Sequence, residues 1–160
     1  MRTSLSKAIS TLFFAFFILT GFSFAQNVTY SWDIYKTKFT VPKSFKVTQN
    51  DTEAFIAGNS DINLSIYPRK KEHLAYVAMK GAVKTWADQS GVSGYTEAEY
   101  VKNLNGYWGC WVEGVKDSYP TFLMLAIDPD FPEISLYIWI SYNQDKVDVA
   151  TEILKSFTPN

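Results

Sequence analysis

One cysteine and one histidine in 160 residues remove several chemistries at once. Cys110 alone permits no disulfide within the chain, so the fold must be held by its core without covalent staples. His73 alone excludes a zinc site of several imidazoles. Proline and glycine are sparse, at 6 and 8 residues, and neither gathers into a linker. With no internal repeat or low-complexity tract either, the chain offers no seam for a second domain. No apolar run reaches the roughly 20 residues that a membrane-spanning helix needs. No charge of one sign accumulates: the lysines are scattered, which argues against nucleic acid or an anionic membrane surface as partner.

What the N-terminus does contain is an export pattern. Arg2 and Lys7 precede the uncharged run Leu12 to Leu19, and Ser23 and Ala25 place small residues at the two positions a signal peptidase reads. Residues 1–25 are therefore expected to be a signal peptide cleaved after Ala25, leaving residues 26–160 as one domain. Lipid attachment would need a cysteine just after the apolar run, so a lipoprotein is not expected. Arg2 and Lys7 are the only charges in the leader, and the remainder holds 13 of the 15 basic residues and all 16 acidic ones, a net charge of −3. Some 135 residues can bury about two thirds of their unfolded surface in one core.

Alternation and turn residues predict a strand or hairpin in Tyr30 to Val41 ended by Pro42, short strands at Phe45 to Thr48 and Glu53 to Ala57, and a strand Ile62 to Tyr67 ended by Pro68. From Leu74 the period changes to helical. Leu74, Val77, Ala78, Gly81, Ala82, Thr85 and Trp86 form the expected contact stripe, and Gly91 stops the helix. Strands Thr96 to Leu104 and Tyr107 to Val115 flank Asn105-Gly106, a strong hairpin signal because both residues tolerate positive φ. Strands Thr121 to Ile127 and Ile134 to Tyr142 follow around the turn Asp128-Pro129-Asp130. Asn143 is placed to cap a last helix with Val147, Ala150, Ile153, Leu154 and Phe157 as its buried stripe. Antiparallel strands with one helix inserted and one at the end make an α+β layer fold.

Candidate chemistry is thin. His73, in Lys-Lys-Glu-His-Leu ahead of the helix, reads as solvated. Cys110 lies between Trp108 and Val112 on an apolar face and reads as a buried, inert thiol. Asp128, Asp130 and Glu133 lack the ligand loop of an EF-hand and suit a turn better than calcium. Glu97 and Glu99 alternate on one strand and face water. Sequons stand at Asn27, Asn50 and Asn63, the last mid-strand and a poor acceptor. No cofactor motif is present.

The richest feature is the aromatic content, 17% of the chain. In Ile134 to Tyr142 one face is aliphatic, while Ser135, Tyr137, Trp139 and Ser141 share the other. Grouping neighbouring strands the same way gives a mixed face of Tyr67, Tyr107, Trp111, Tyr137 and Trp139. That face is either covered by the terminal helix, with the first helix on the aliphatic side, or partly open for a sugar, a small amphipathic ligand or a protein. Burial is the expectation adopted, because five exposed rings make a large apolar patch for a soluble monomer.

The strings KFTVPKSFKV at 38–47, INLSIYP at 62–68, LNGYWGCWVEG at 104–114 and ILKSF at 153–157 resemble the superfamily of the PsbP extrinsic subunit of photosystem II, the Mog-type Ran-binding protein and the DcrB-like envelope proteins. The resemblance implies an antiparallel sheet sandwiched between helices, an α/β/α arrangement, in proteins that mostly bind other macromolecules and share no active site. No functional residue carries over. The function expected from the sequence is thus an exported, non-catalytic domain that binds a protein partner in the envelope; the alternative is a small-molecule or carbohydrate binding module using the aromatic face.

Overall fold

The computed structural model describes residues 26–160, so the expected signal peptide lies outside the described residues. Strands β1 (Asn27–Trp32) and β2 (Thr37–Pro42) form a hairpin, the second of the two forms the sequence allowed there, joined by a 3-10 turn at Asp33–Tyr35 that Lys36 closes in a left-handed conformation. β3 (Lys46–Asn50), β4 (Phe55–Gly58) and β5 (Ile62–Lys70) follow, then α1 (Met79–Ser90). After it come β6 (Glu99–Leu104), β7 (Tyr107–Lys116), β8 (Tyr119–Ile127) and β9 (Ile134–Tyr142), then α2 (Val147–Lys155) and the short β10 (Thr158–Pro159). Asn105 and Gly106 both have positive φ in the turn from β6 to β7, as the Asn-Gly signal requires.

Two antiparallel sheets result. The larger has the order β3-β4-β5-β9-β8-β7-β6, and the smaller has the order β1-β2-β10. On one face of the large sheet, Met79, Val83, Trp86 and Ala87 of α1 pack on Cys110, Val112, Leu123, Leu125 and Tyr137. On the other face, α2 and the small sheet share a layer: Ala150, Ile153 and Leu154, with Phe39, Val41 and Phe157, cover Leu64, Met124, Ile138 and Ile140. The architecture is the expected α+β sandwich, with one outer layer divided between a helix and a sheet.

Several local expectations change. β5 runs through Pro68 to Lys70, because β4 starts only at Phe55, opposite Ile66, and the missing N–H falls where the strand pairs on one side only. α1 begins at Met79 after a 3-10 turn at Tyr76–Ala78, and its buried stripe is Met79, Val83, Trp86 and Ala87, out of phase with the small-residue stripe. Val77 is 82% exposed, and a Cβ on Gly81 would meet nothing within 4 Å. Gly91 does end the helix, at φ 69°. The side chain of Asn143 caps nothing: it donates to Asp61 Oδ1 (3.1 Å), and a 3-10 turn at Gln144–Lys146 precedes α2. Ala150, Ile153, Leu154 and Phe157 are buried as expected, whereas Val147 is exposed.

Candidate functional site

The five aromatic residues grouped from the sequence do not share a face. Cross-strand register places Cys110 opposite Leu125 and Leu125 opposite Tyr137, while Trp111 lies opposite Met124 and Met124 opposite Ile138. Tyr67, Tyr137 and Trp139 therefore belong to the α1 face, and Tyr107 and Trp111 to the α2 face. Nor do the helices divide as expected: α1 covers the Tyr137 and Trp139 face, and α2 covers the aliphatic one. Within a strand, alternation is local and legible; between strands, a slip of one residue exchanges the faces.

Each ring has its own setting. Tyr137 is buried under Trp86 (centroids 4.9 Å apart) and donates to Glu72 Oε1 at 2.6 Å. Burial, then the Glu72 carboxylate, pushes its phenol well above the usual range. Tyr142 donates likewise to Glu113 Oε1, and burial again raises it. Phenols held protonated in this way serve as hydrogen-bond donors within the core. Tyr107 is buried at the foot of a cleft of about 100 Å³ edged by Ile34 and Phe131, and burial pushes it up to about 12. Trp111 packs edge-on against Phe122 in an apolar cleft of about 120 Å³ beside Leu154 of α2. Tyr67 is exposed on β5.

α1 lies over β7 and β8 and leaves two surfaces open on its own face of the sheet. At its N-terminal end, Tyr76 stacks on Tyr100 of the edge strand β6 (4.3 Å) and meets Trp108 edge-on (5.6 Å). The Tyr100 hydroxyl donates to the Tyr76 carbonyl (3.1 Å), and Lys80 Nζ lies 4.9 Å from the Tyr100 ring. With Val77 beside them and Trp108 37% exposed, these residues form a rigid aromatic patch. The patch is hidden in the sequence, where helical spacing puts Val77, and strand alternation puts Trp108, on buried faces; its one signal is a Tyr-Val pair preceding the helix in a segment of irregular period.

Beyond the C-terminal end of α1 the sheet is open around Trp139. There a bowl of about 370 Å³ is lined by Asp61, Asn63, Lys116, Asp117, Tyr119, Trp139, Ser141 and Asn143, with Ser60 at its rim. Trp139 is half-buried, its inner edge against Trp86 (6.1 Å), and its indole N–H donates to Ser141 Oγ at 2.6 Å. Thr121 spends its hydroxyl proton on the Tyr119 carbonyl (3.1 Å), so Ser141 is the donor in the 3.2 Å contact with Thr121. A directional chain from indole to carbonyl thus fixes the ring. Asp117 and Ser118, both at positive φ, turn β7 into β8 and set Tyr119 at the rim, 53% exposed.

Among the described residues no group of three or more His, Cys, Asp or Glu is placed to hold a metal ion. Asp128 Oδ1 instead accepts the Asp130 N–H in a turn (2.9 Å). His73 is exposed, and Glu97, also exposed, pairs with Lys84 at 2.9 Å. No helix among the described residues is long and apolar enough to cross a membrane.

No family model matches the sequence, and no curated protein matches it at the level of sequence. Solved structures do match the fold. Cyanobacterial PsbP (CyanoP) from Synechocystis sp. PCC 6803 aligns over 88% of this chain and 96% of its own at 15% identity, with a TM-score of 0.58. The chain has the PsbP and Mog-type fold. The Ran-binding protein Mog1p of Saccharomyces cerevisiae aligns over 83% of this chain and 95% of its own at 10% identity, with a TM-score of 0.56. Sharing the PsbP and Mog-type fold at such identities carries no site with it; function has to be argued from the surfaces above.

Proposed function

We propose that this protein is an exported, non-catalytic binding protein that holds a protein partner in the envelope, docked on the aromatic patch at the N-terminal end of α1. The observation that carries the reading is the exposure of Val77 and Trp108 around the stacked Tyr76 and Tyr100 pair. Tyrosine and tryptophan dominate the energetics of protein interfaces, and rings already locked against each other lose little entropy on docking. Lys80 at the edge of the patch favours a partner with an acidic rim. Export is supported by the leader pattern from Arg2 to Ala25, and partner binding by the likeness in fold to Mog1p, a Ran-binding protein.

The test is affinity capture from the envelope of the native organism with the wild type and with the double variant Val77→Asp/Trp108→Ala. A partner recovered by the wild type and lost by the variant, while far-UV circular dichroism is unchanged, supports the reading. A partner retained by both places the interface elsewhere.

A further inference from the structure

The bowl beyond the C-terminal end of α1 has a composition unlike that of the aromatic patch, and it stands independently of the docking reading. Its floor is one ring, Trp139, oriented by the chain through Ser141 and Thr121 rather than by apolar packing alone. Its rim brings together Asn63 and Asn143, each with an amide that donates at one atom and accepts at the other, and the carboxylates of Asp61 and Asp117. Tyr119 stands across the opening, exposed, held by the turn at Asp117 and Ser118.

We propose that this bowl is a saccharide-binding site, with Trp139 as the stacking platform and Asp61, Asn63, Asp117 and Asn143 as the groups that read hydroxyls. A pyranose has an apolar C–H face that suits an aromatic ring and a girdle of hydroxyls that both donate and accept, which is what the rim supplies. An anion is disfavoured, since two carboxylates face the single ammonium of Lys116. A wholly apolar ligand would leave the rim amides and carboxylates without water or partner. The volume, about 370 Å³, lies at the lower end of ordinary ligand pockets and suits one or two sugar rings.

The experiment follows tryptophan fluorescence and calorimetry of protein purified after expression of the full chain. The probes are glucose, galactose, mannose and N-acetylglucosamine, together with their oligomers up to the tetrasaccharide. Saturable binding of at least one neutral sugar is expected, weakened about tenfold or more by Tyr119→Ala and abolished by Trp139→Ala, and unaffected by Tyr76→Ala in the patch. Tyr119 is largely exposed, so Tyr119→Ala reports on the site even if Trp139→Ala unfolds the protein. Affinity that stays level with oligomer length points to a free sugar, and affinity that rises with length to an envelope polysaccharide; either supports the site. No saturable binding of any probe at millimolar concentration, or binding that Tyr119→Ala leaves intact, overturns it.

Discussion

Burial decides how individual side chains of the α1 face behave. Cys110 sits between β6 and β8, opposite Tyr100 and Leu125, under the apolar side of α1. Burial pushes its thiol up to about 11, so it remains protonated and unreactive at neutral pH. A maleimide at pH 7.5 is expected to label it only after denaturation; fast labelling of the native protein would mean that α1 lifts from the sheet. Trp86 and Trp139, which meet in a T-shaped contact, differ in the same respect. Trp86 is almost wholly enclosed, and Trp86→Ala should cost about 3 to 5 kcal/mol. Trp139 is half-buried, packed against Trp86 on one side and lining the bowl on the other, so Trp139→Ala should cost about half as much. Denaturation midpoints of the two variants beside the wild type check the order, and equal losses would show that the bowl is closed in solution.

Two glycines test how the elements are built. Gly81 is exposed in the interior of α1 with open space where a Cβ would stand, so Gly81→Ala should stabilise the protein by about 0.5 to 1 kcal/mol. Gly114 is the opposite case: a Cβ there would lie 2.7 Å from Val92 Cγ1 and 2.9 Å from the Ser93 carbonyl. The segment after α1 lies directly on β7 at this point, tied by the reciprocal bonds of Ser93 and Val115. Gly114→Ala should therefore destabilise by about 1 to 3 kcal/mol, and thermal unfolding of both variants reads the two signs. The same elements show what the sequence could reveal. The strand Ile134–Tyr142, the Asn105-Gly106 turn, the stop at Gly91 and the buried side of α2 were legible, since each is encoded within a few adjacent residues. The phase of α1 was not, because Leu74 to Ala78 precede the regular helix while supplying helical spacing by coincidence. The partition of the five aromatic residues was not legible either, being set by pairing between strands distant in sequence. The bowl was half legible: Trp139 and Ser141 stood out on one strand, but Asp61 comes from the turn between β4 and β5, and Lys116 and Tyr119 from the turn between β7 and β8, two turns that only the fold unites.

At the scale of the whole molecule, proton linkage makes the two ends of the pH range unequal. On the acid side the lowered carboxyls are Asp51, held by the Glu53 and Ala54 backbone N–H groups, and Glu97 and Asp145, each beside a lysine. All three are exposed and screened by water, so the stability they lose as pH falls through the carboxylate range is small. On the alkaline side Lys70, Lys84, Tyr95 and Lys146 are raised at the surface, where water screens them, and the large shifts are in the core. Cys110 ionises at about 9.0 when unfolded and about 11 when folded, and Tyr107 at about 10.0 and about 12. Because the folded state holds these protons more tightly, their contribution is complete below pH 9, and it declines from pH 9 to 11 for Cys110 and from 10 to 12 for Tyr107. Within its window each group removes about 1.4 kcal/mol per pH unit. Tyr137 and Tyr142, raised in the same direction, extend the loss upward. Guanidinium midpoints measured from pH 5 to 11.5 should be level to about pH 9 and then fall steeply, while Cys110→Ala should delay the onset to about pH 10. A midpoint that stays level up to pH 11.5 would show that these groups reach solvent in the folded state, and with it that the layers over both faces of the sheet are open, since Cys110 and Tyr137 lie under α1 and Tyr107 and Tyr142 in the core on the α2 face.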